Sequence, residues 1–279
     1  MCNLYTTKAS ADEVADAFRA RKPAEFNAGP GEVYPGYPGM VVRHERGERI
    51  LQAMTWGFPL RLKGAKPESK PRPVNNARTD KLDSFMWKFS FLERRCLIPL
   101  TAFAEAEGEK GRMTRTWFSL PDEPIFAAAG IWKDSPEWGP VYSMIMTEAC
   151  IDVADVHDRM PVILKRADWD DWLDGPPDAA GLLCRPYPDL VVVDRTTDPW
   201  RRQAVSLDLL SWYKLPPRIR DMAGECERHL NPTPSAGRRR SRLSYRRIRW
   251  QRAQSRCAIC RRKDAAWSPI LRPSFSDSA

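Results

Sequence analysis

Histidine is scarce in this chain, three residues in 279, and no uninterrupted apolar run approaches the roughly 18 residues that a membrane-spanning helix needs. The opening MCNLYTTKASADEV lacks a basic region followed by an apolar one. Neither a membrane span nor a secretory signal is read from it, and a cytoplasmic protein is expected. The seven cysteines are odd in number and irregular in spacing, which argues against a disulfide framework. A general excess of positive charge is also missing from most of the chain. Of 45 Lys and Arg and 36 Asp and Glu, 19 and 6 fall after residue 200, so residues 1–200 hold 26 against 30, a net −4. The overall +9 belongs to the C-terminal stretch. A nucleic-acid site in the main body therefore has to be a local patch.

What is present is a succession of short strand-like runs. SADEVADAFRA reads as a helix, with Ser10 and Glu13 spaced as a capping box. MVVR and RILQAMTWGF look like paired strands, the second ending at Trp56. KLDSFMWKFSFLERR places Leu82, Phe85, Phe89 and Leu92 at three- and four-residue steps, which predicts a helix with that stripe as its apolar face. CLIPL, RTWFSL, IFAAAGIW and VYSMIMT follow as strands, then ADWDDWLDG as a short helix closed by Gly175, and DLVVVD as a last strand. Many strands with few long helices predict an α+β fold, a mainly antiparallel, open-barrel-like β core with flanking helices. No repeat at a fixed period is seen. Residues 1–200 are read as one domain and 201–279 as a basic extension, disordered or a small appended module.

Four stretches carry groups suited to chemistry. Cys2, once Met1 is trimmed, presents an α-amine and a thiol on adjacent carbons, a pair that condenses with an aldehyde to a thiazolidine; the plainer reading is a small buried residue. In NNARTD, Asn76 and Arg78 suit orienting a substrate and gripping a phosphate, or else a turn residue and a solvated charge. Glu105, in CLIPLTAFAEAEG, sits beside apolar neighbours whose desolvation raises a carboxyl pKa towards proton-transfer range; the alternative is an exposed turn residue. His157, in HDRMPVIL, suits a proton shuttle or a turn cap, with Arg159 close by. In the extension, Cys226, His229, Cys257 and Cys260 are zinc-donor types, but only one half is a CxxC and the gap is long. Chance spacing is the plainer account, and no metal or cofactor is expected.

Taken in order, Cys2, NNARTD, IPLTAFAEA and HDRMPVIL resemble the SRAP family, the SOS-response-associated peptidase-like proteins that include the abasic-site shield proteins. The usual pattern there is Met-Cys-Gly-Arg, WG(L/F)xP, NARxE, a stretch ending in an aromatic, Glu and Trp, and HxRMP. The resemblance implies a mixed α/β domain around an antiparallel, barrel-like core and covalent sensing of abasic sites in single-stranded DNA. It makes Cys2 the crosslinking nucleophile, Asn76 a positioning group, Glu105 the general acid and base, and His157 a proton-transfer partner. Arg78, Arg159 and Trp56 become the DNA contacts, and a monomer is expected, nucleoid-associated when on DNA.

The chain departs from that pattern in places. Asn3 and Leu4 replace Gly-Arg, Asp80 replaces the Glu of NARxE, Glu105 lacks its aromatic neighbours, and a second Trp after WGFP is absent. Base stacking loses platforms, for which Arg61 and Lys63 offer electrostatic compensation. Two other readings stay open. One is a thiol-dependent autopeptidase, weakened by having only Met1 ahead of Cys2. The other is a reversible reader of modified bases.

Overall fold

A computed structural model describes residues 2–61, 64, 66 and 69–200. Lys63, Cys226, His229, Cys257, Cys260 and the whole proposed extension lie outside the described residues. In chain order the strands and helices are β1 (Leu4–Thr7), α1 (Ala11–Phe18), β2 (Gly31–Val33), β3 (Pro38–Glu45), β4 (Glu48–Trp56), β5 (Phe58–Leu60), β6 (Arg72–Val74), β7 (Asn76–Arg78), α2 (Lys88–Glu93), β8 (Arg95–Leu100) and β9 (Ala102–Glu107). They continue with β10 (Thr114–Ser119), β11 (Phe126–Ser135), β12 (Gly139–Glu148), α3 (Ile151–Ala154), β13 (Arg159–Pro161), β14 (Ile163–Leu164), α4 (Trp169–Asp174), α5 (Pro177–Leu182) and β15 (Val192–Pro199).

Local chemistry fixes the first elements. The Glu13 N–H reaches the Ser10 hydroxyl at 3.2 Å and the Ser10 N–H reaches the Glu13 carboxylate at 2.7 Å, so the expected capping box starts α1. The helix buries Val14, Ala15 and Phe18 and stops where Arg19 turns left-handed. Between β3 and β4, Arg46 and Gly47 both have positive φ, 53° and 83°. That is the turn whose twist suits a two-residue hairpin, and it sets the register from Glu45↔Glu48 to Pro38↔Thr55.

The strands form two main sheets. One is antiparallel, in the order β15-β10-β9-β1-β2. The other runs β13-β12-β4-β3-β8-β11-β14, and β12 also pairs with β11 and β7. The double pairing of β12, parallel to β4 and antiparallel to β11, closes β12-β4-β3-β8-β11 into a ring. The expected barrel-like β core is thus present, and the parallel Val141↔Thr55 and Tyr142↔Trp56 pairs join its ends.

Two-residue alternation splits the buried side chains into two cores. Cys96, Ile98, Tyr142, Met144 and Met146 share one with Tyr5, Phe103 and Phe118 of the antiparallel sheet, and with Cys2. Leu97, Val141 and Ile145 share the other with Phe18 of α1 and Trp169 and Trp172 of α4. The helix expected over residues 81–95 shrinks to α2. Its buried face is Trp87 and Ser90, while Phe85, Phe89 and Leu92 are exposed. Trp87, packed on Phe58 at 5.0 Å between ring centroids, chooses the buried face against the apolar stripe.

Candidate active site

The site is built at the start of β1, where Cys2 is fully buried. Its carbonyl accepts two side-chain amides, Asn75 Nδ2 at 2.8 Å and Asn76 Nδ2 at 2.7 Å. Asn76 stands on β7 opposite Met144 of β12. Its Oδ1 is buried without a hydrogen-bond partner among the described residues. The Cys2 thiol donates to the Leu4 carbonyl at 3.4 Å. Burial, and then the negative charge of Glu105, push the thiol pKa far above its ordinary value, so it stays protonated near neutrality.

Glu105 lies on β9, cross-strand from Thr116, and is 3% exposed. Burial raises its pKa from 4.5 to about 7, with the amino-terminal positive charge pulling the other way. The two protonation states are thus comparably populated near neutrality, which suits a group that must both give and take a proton.

His157 follows α3. Its Nδ1 accepts the Arg159 N–H at 2.9 Å, and its pKa is held below the ordinary value by burial and then by the amino-terminal charge. The neutral ring therefore carries its proton on Nε2. Asp158 Oδ1 lies 3.0 Å from the same Nδ1. An unprotonated Nδ1 has no proton to offer it, so this contact is an ion pair only in the acid form.

The arginines flank the end of β12, Arg78 opposite Met146 on one side and Arg159 opposite Glu148 on the other. Arg78 grips Asp80 with both arms of its fork, Nε at 2.8 Å and Nη2 at 2.6 Å. The shorter carboxylate thus still serves as the arginine's anchor. The field of Asp158 reaches Glu105, His157 and Arg78 together, so these residues form one electrostatic cluster.

Trp56 does not fit the expected role of DNA contact. It is completely buried, edge-on to Tyr5 at 5.0 Å and stacked on Tyr142 at 6.4 Å. Its Nε1–H donates to the Asn75 carbonyl at 2.9 Å. With no face open to a base, it braces Asn75, which leads into β7. Arg61 is partly engaged as well, donating to the Ser69 carbonyl at 2.8 Å. Sequence reasoning missed three residues. Asn75 was visible as the first half of a double Asn, whereas nothing local marked Tyr5 and Tyr142, whose buried hydroxyls hydrogen-bond across 137 positions of sequence.

Residues 1–197 match the family model described as SOS response associated peptidase (SRAP). The chain belongs to the SRAP family. Among curated relatives, abasic site processing protein YoqW of Bacillus subtilis is 27% identical over 203 residues, covering 67% of this chain and 88% of that one. Abasic site processing protein YoaM of the same organism is 26% identical over 204 residues, covering 67% and 86%. A crystal structure of a Bordetella bronchiseptica protein superposes with a TM-score of 0.59 at 26% identity, covering 70% of this chain and 99% of that one. A Bacteroides thetaiotaomicron protein shares the fold with a TM-score of 0.59 at 20% identity, covering 78% and 98%.

Proposed function

We propose that this SRAP protein captures abasic sites in single-stranded DNA, forming a thiazolidine DNA–protein crosslink through Cys2 after Met1 is removed. The observation that carries the reading is the arrangement around Cys2. Its carbonyl is clamped by two amides, and its thiol feels the charge of a buried Glu105 whose pKa is about 7. The names of the curated relatives supply the substrate class.

An abasic deoxyribose is mostly a cyclic hemiacetal, with a small open-chain aldehyde fraction. Glu105 assists ring opening by taking the proton of the anomeric hydroxyl and returning it to the ring oxygen as the bond between that oxygen and the anomeric carbon breaks, leaving the aldehyde. The Cys2 α-amine, with an ordinary pKa near about 8, attacks the aldehyde carbon in its neutral form. The resulting carbinolamine loses water as protonated Glu105 delivers a proton to the leaving hydroxyl and its carboxylate then takes the N–H proton, giving the neutral imine and protonated Glu105. The Cys2 thiol then adds to the imine carbon while its proton ends on nitrogen, closing a five-membered ring with water as the sole leaving group. Glu105 carries that last proton and is regenerated. His157, neutral with Nε2–H, is a second donor, and Asn76 Oδ1 is an acceptor for the amine. Arg159, and the Nη1 of Arg78 left over from Asp80, bind the flanking phosphates. Imine that escapes thiol closure is open to β-elimination, a lyase outcome.

The peptidase reading has less support. A thiol protease needs a thiolate at neutral pH, whereas burial and Glu105 keep this thiol protonated. The test is a denaturing gel of protein, checked by mass for loss of Met1, with a single-stranded oligonucleotide bearing one abasic site. Wild type is expected to give a heat-stable shifted band, and Cys2→Ala none. A band that persists in Cys2→Ala, or no band from correctly trimmed wild type, rejects the crosslinking mechanism.

A further inference from the structure

Cys2 has to be held before it can react, yet its strand begins only at Leu4. Chain ends are poorly ordered unless something ties them down. Here one amide nitrogen supplies two of the ties. Asn75 Nδ2 gives its two protons to two acceptors, the Cys2 carbonyl at 2.8 Å and Asn3 Oδ1 at 3.1 Å. Asn76 Nδ2 occupies the carbonyl's second lone pair at 2.7 Å. The backbone of Asn75 is itself fixed, because its carbonyl accepts both Trp56 Nε1–H and the Met144 N–H at 2.9 Å.

Resting on the crosslinking reading above, we infer that Asn75 is a positioning residue for Cys2, acting with Asn3 as a latch. Both residues lie off the shared motif. Asn3 stands where Gly is usual, and Asn75 precedes the Asn of NARxE. The two departures meet in one hydrogen bond. Fixing the Cys2 carbonyl fixes the torsion about its Cα–C bond, and so the direction in which the amine and thiol stand relative to Glu105. An amide is needed at position 75, because a carboxylate would set a negative charge against two oxygen acceptors and a hydrocarbon would leave both without that donor. The latch has a dry half at Cys2 and Asn76, both buried, and a wet half at Asn3, which is exposed. Asn3 therefore contributes less than Asn75.

The experiment measures single-turnover crosslinking at saturating abasic oligonucleotide. Binding is measured separately, with an oligonucleotide carrying a tetrahydrofuran analogue that has no aldehyde. Asn75→Leu keeps the backbone bonds to Trp56 and Met144, and is expected to slow crosslinking about tenfold while affinity for the analogue changes less than about twofold. The bend in the rate–pH profile that belongs to Glu105 stays in place. Asn3→Gly, an exposed change that does not threaten folding, is expected to slow the reaction about threefold alone and to have no effect in the Asn75→Leu background. Unchanged rates, a matching loss of affinity, or an Asn3 effect that simply multiplies with that of Asn75 overturns the latch alone. Wild type that forms no Cys2-dependent crosslink overturns the crosslinking reading, and the latch falls with it.

Discussion

Glu105, on β9 of the antiparallel sheet, and Arg95, on β8 of the barrel, are both buried, at 3% and 6% exposure, but in different surroundings and with opposite consequences. Arg95 lies under the helices. Its Nε–H donates to the Trp172 carbonyl at 2.5 Å, its Nη1 to the Phe91 and Leu92 carbonyls at 2.8 and 3.1 Å, and its Nη2 to the Gly175 carbonyl. These carbonyls belong to the last turns of α2 and α4, which have no further helical N–H to accept from. One guanidinium thus caps two helices, and the helix dipoles favour its charge there. Glu105 faces the core between the sheets, where burial outweighs what favours its anion and its pKa climbs to about 7. A buried charge that is fully matched becomes structure. One whose burial sets its pKa near neutrality suits the proton transfer proposed for Glu105.

The largest expected effect breaks the catalytic half of this contrast. Glu105→Gln keeps the shape and removes the transferable proton, and should slow crosslinking by about 100-fold or more with little change in DNA affinity. The wild-type rate–pH profile should bend near pH 7, and the bend should vanish in the variant. Stability supplies an independent check. Because the folded pKa lies above the ordinary 4.5, the native protein holds a proton that the unfolded chain releases. Wild type should therefore lose stability as pH rises through the window from about 4.5 to about 7. Glu105→Gln should lose less over that range in urea unfolding series, and parallel curves for the two proteins would contradict the raised pKa.

Arg95→Leu tests the structural half. Four carbonyls lose a charged donor inside a low-dielectric core, so unfolding free energy should fall by about 3 kcal/mol or more, read from denaturant titration. Crosslinking per folded molecule should be unchanged, since Arg95 touches nothing in the Cys2 cluster. A crosslinking defect without a stability loss would show that the two regions are not separable in this way.

The two regions also differed in how much of them could be read in advance. The strands of the barrel announced themselves by alternation, as in VYSMIMT, where Tyr142, Met144 and Met146 face one core and Val141 and Ile145 the other. The capping box of α1 was written in Ser10 and Glu13. The segment after NNARTD misleads because three of the four residues of its apolar stripe, Phe85, Phe89 and Leu92, face solvent and Leu82 alone is buried. Burial there is decided by Trp87 meeting Phe58, a contact that no local spacing encodes. In the candidate site, Cys2, Asn76, Glu105 and His157 are legible as residue types in order, whereas the burial of Trp56 is not, because a motif tells identity and not depth. Closure of the ring rests on two parallel pairs between strands some 86 positions apart, Val141↔Thr55 and Tyr142↔Trp56, and was beyond any local pattern.

A smaller effect sharpens the contrast within the Cys2 core itself. A Cβ added to Gly39 would overlap the hydroxyl oxygens of both Tyr5 and Tyr142, which hydrogen-bond to each other there. Neither hydroxyl has room to yield in a fully buried setting. Gly39→Ala should therefore force the tyrosines apart and cost about 1–3 kcal/mol. Tyr5 is three residues along the chain from Cys2 and packs edge-on to Trp56, which braces Asn75. The strain should reach the nucleophile, and crosslinking per folded molecule should fall several-fold, unlike in Arg95→Leu. Adding Tyr142→Phe to Gly39→Ala removes one of the two overlapping oxygens and should restore part of both stability and rate. If Gly39→Ala is as stable as wild type in urea and crosslinks at the same speed, β3 can shift away from the tyrosines. The aromatic support behind Cys2 would then be softer than its burial implies.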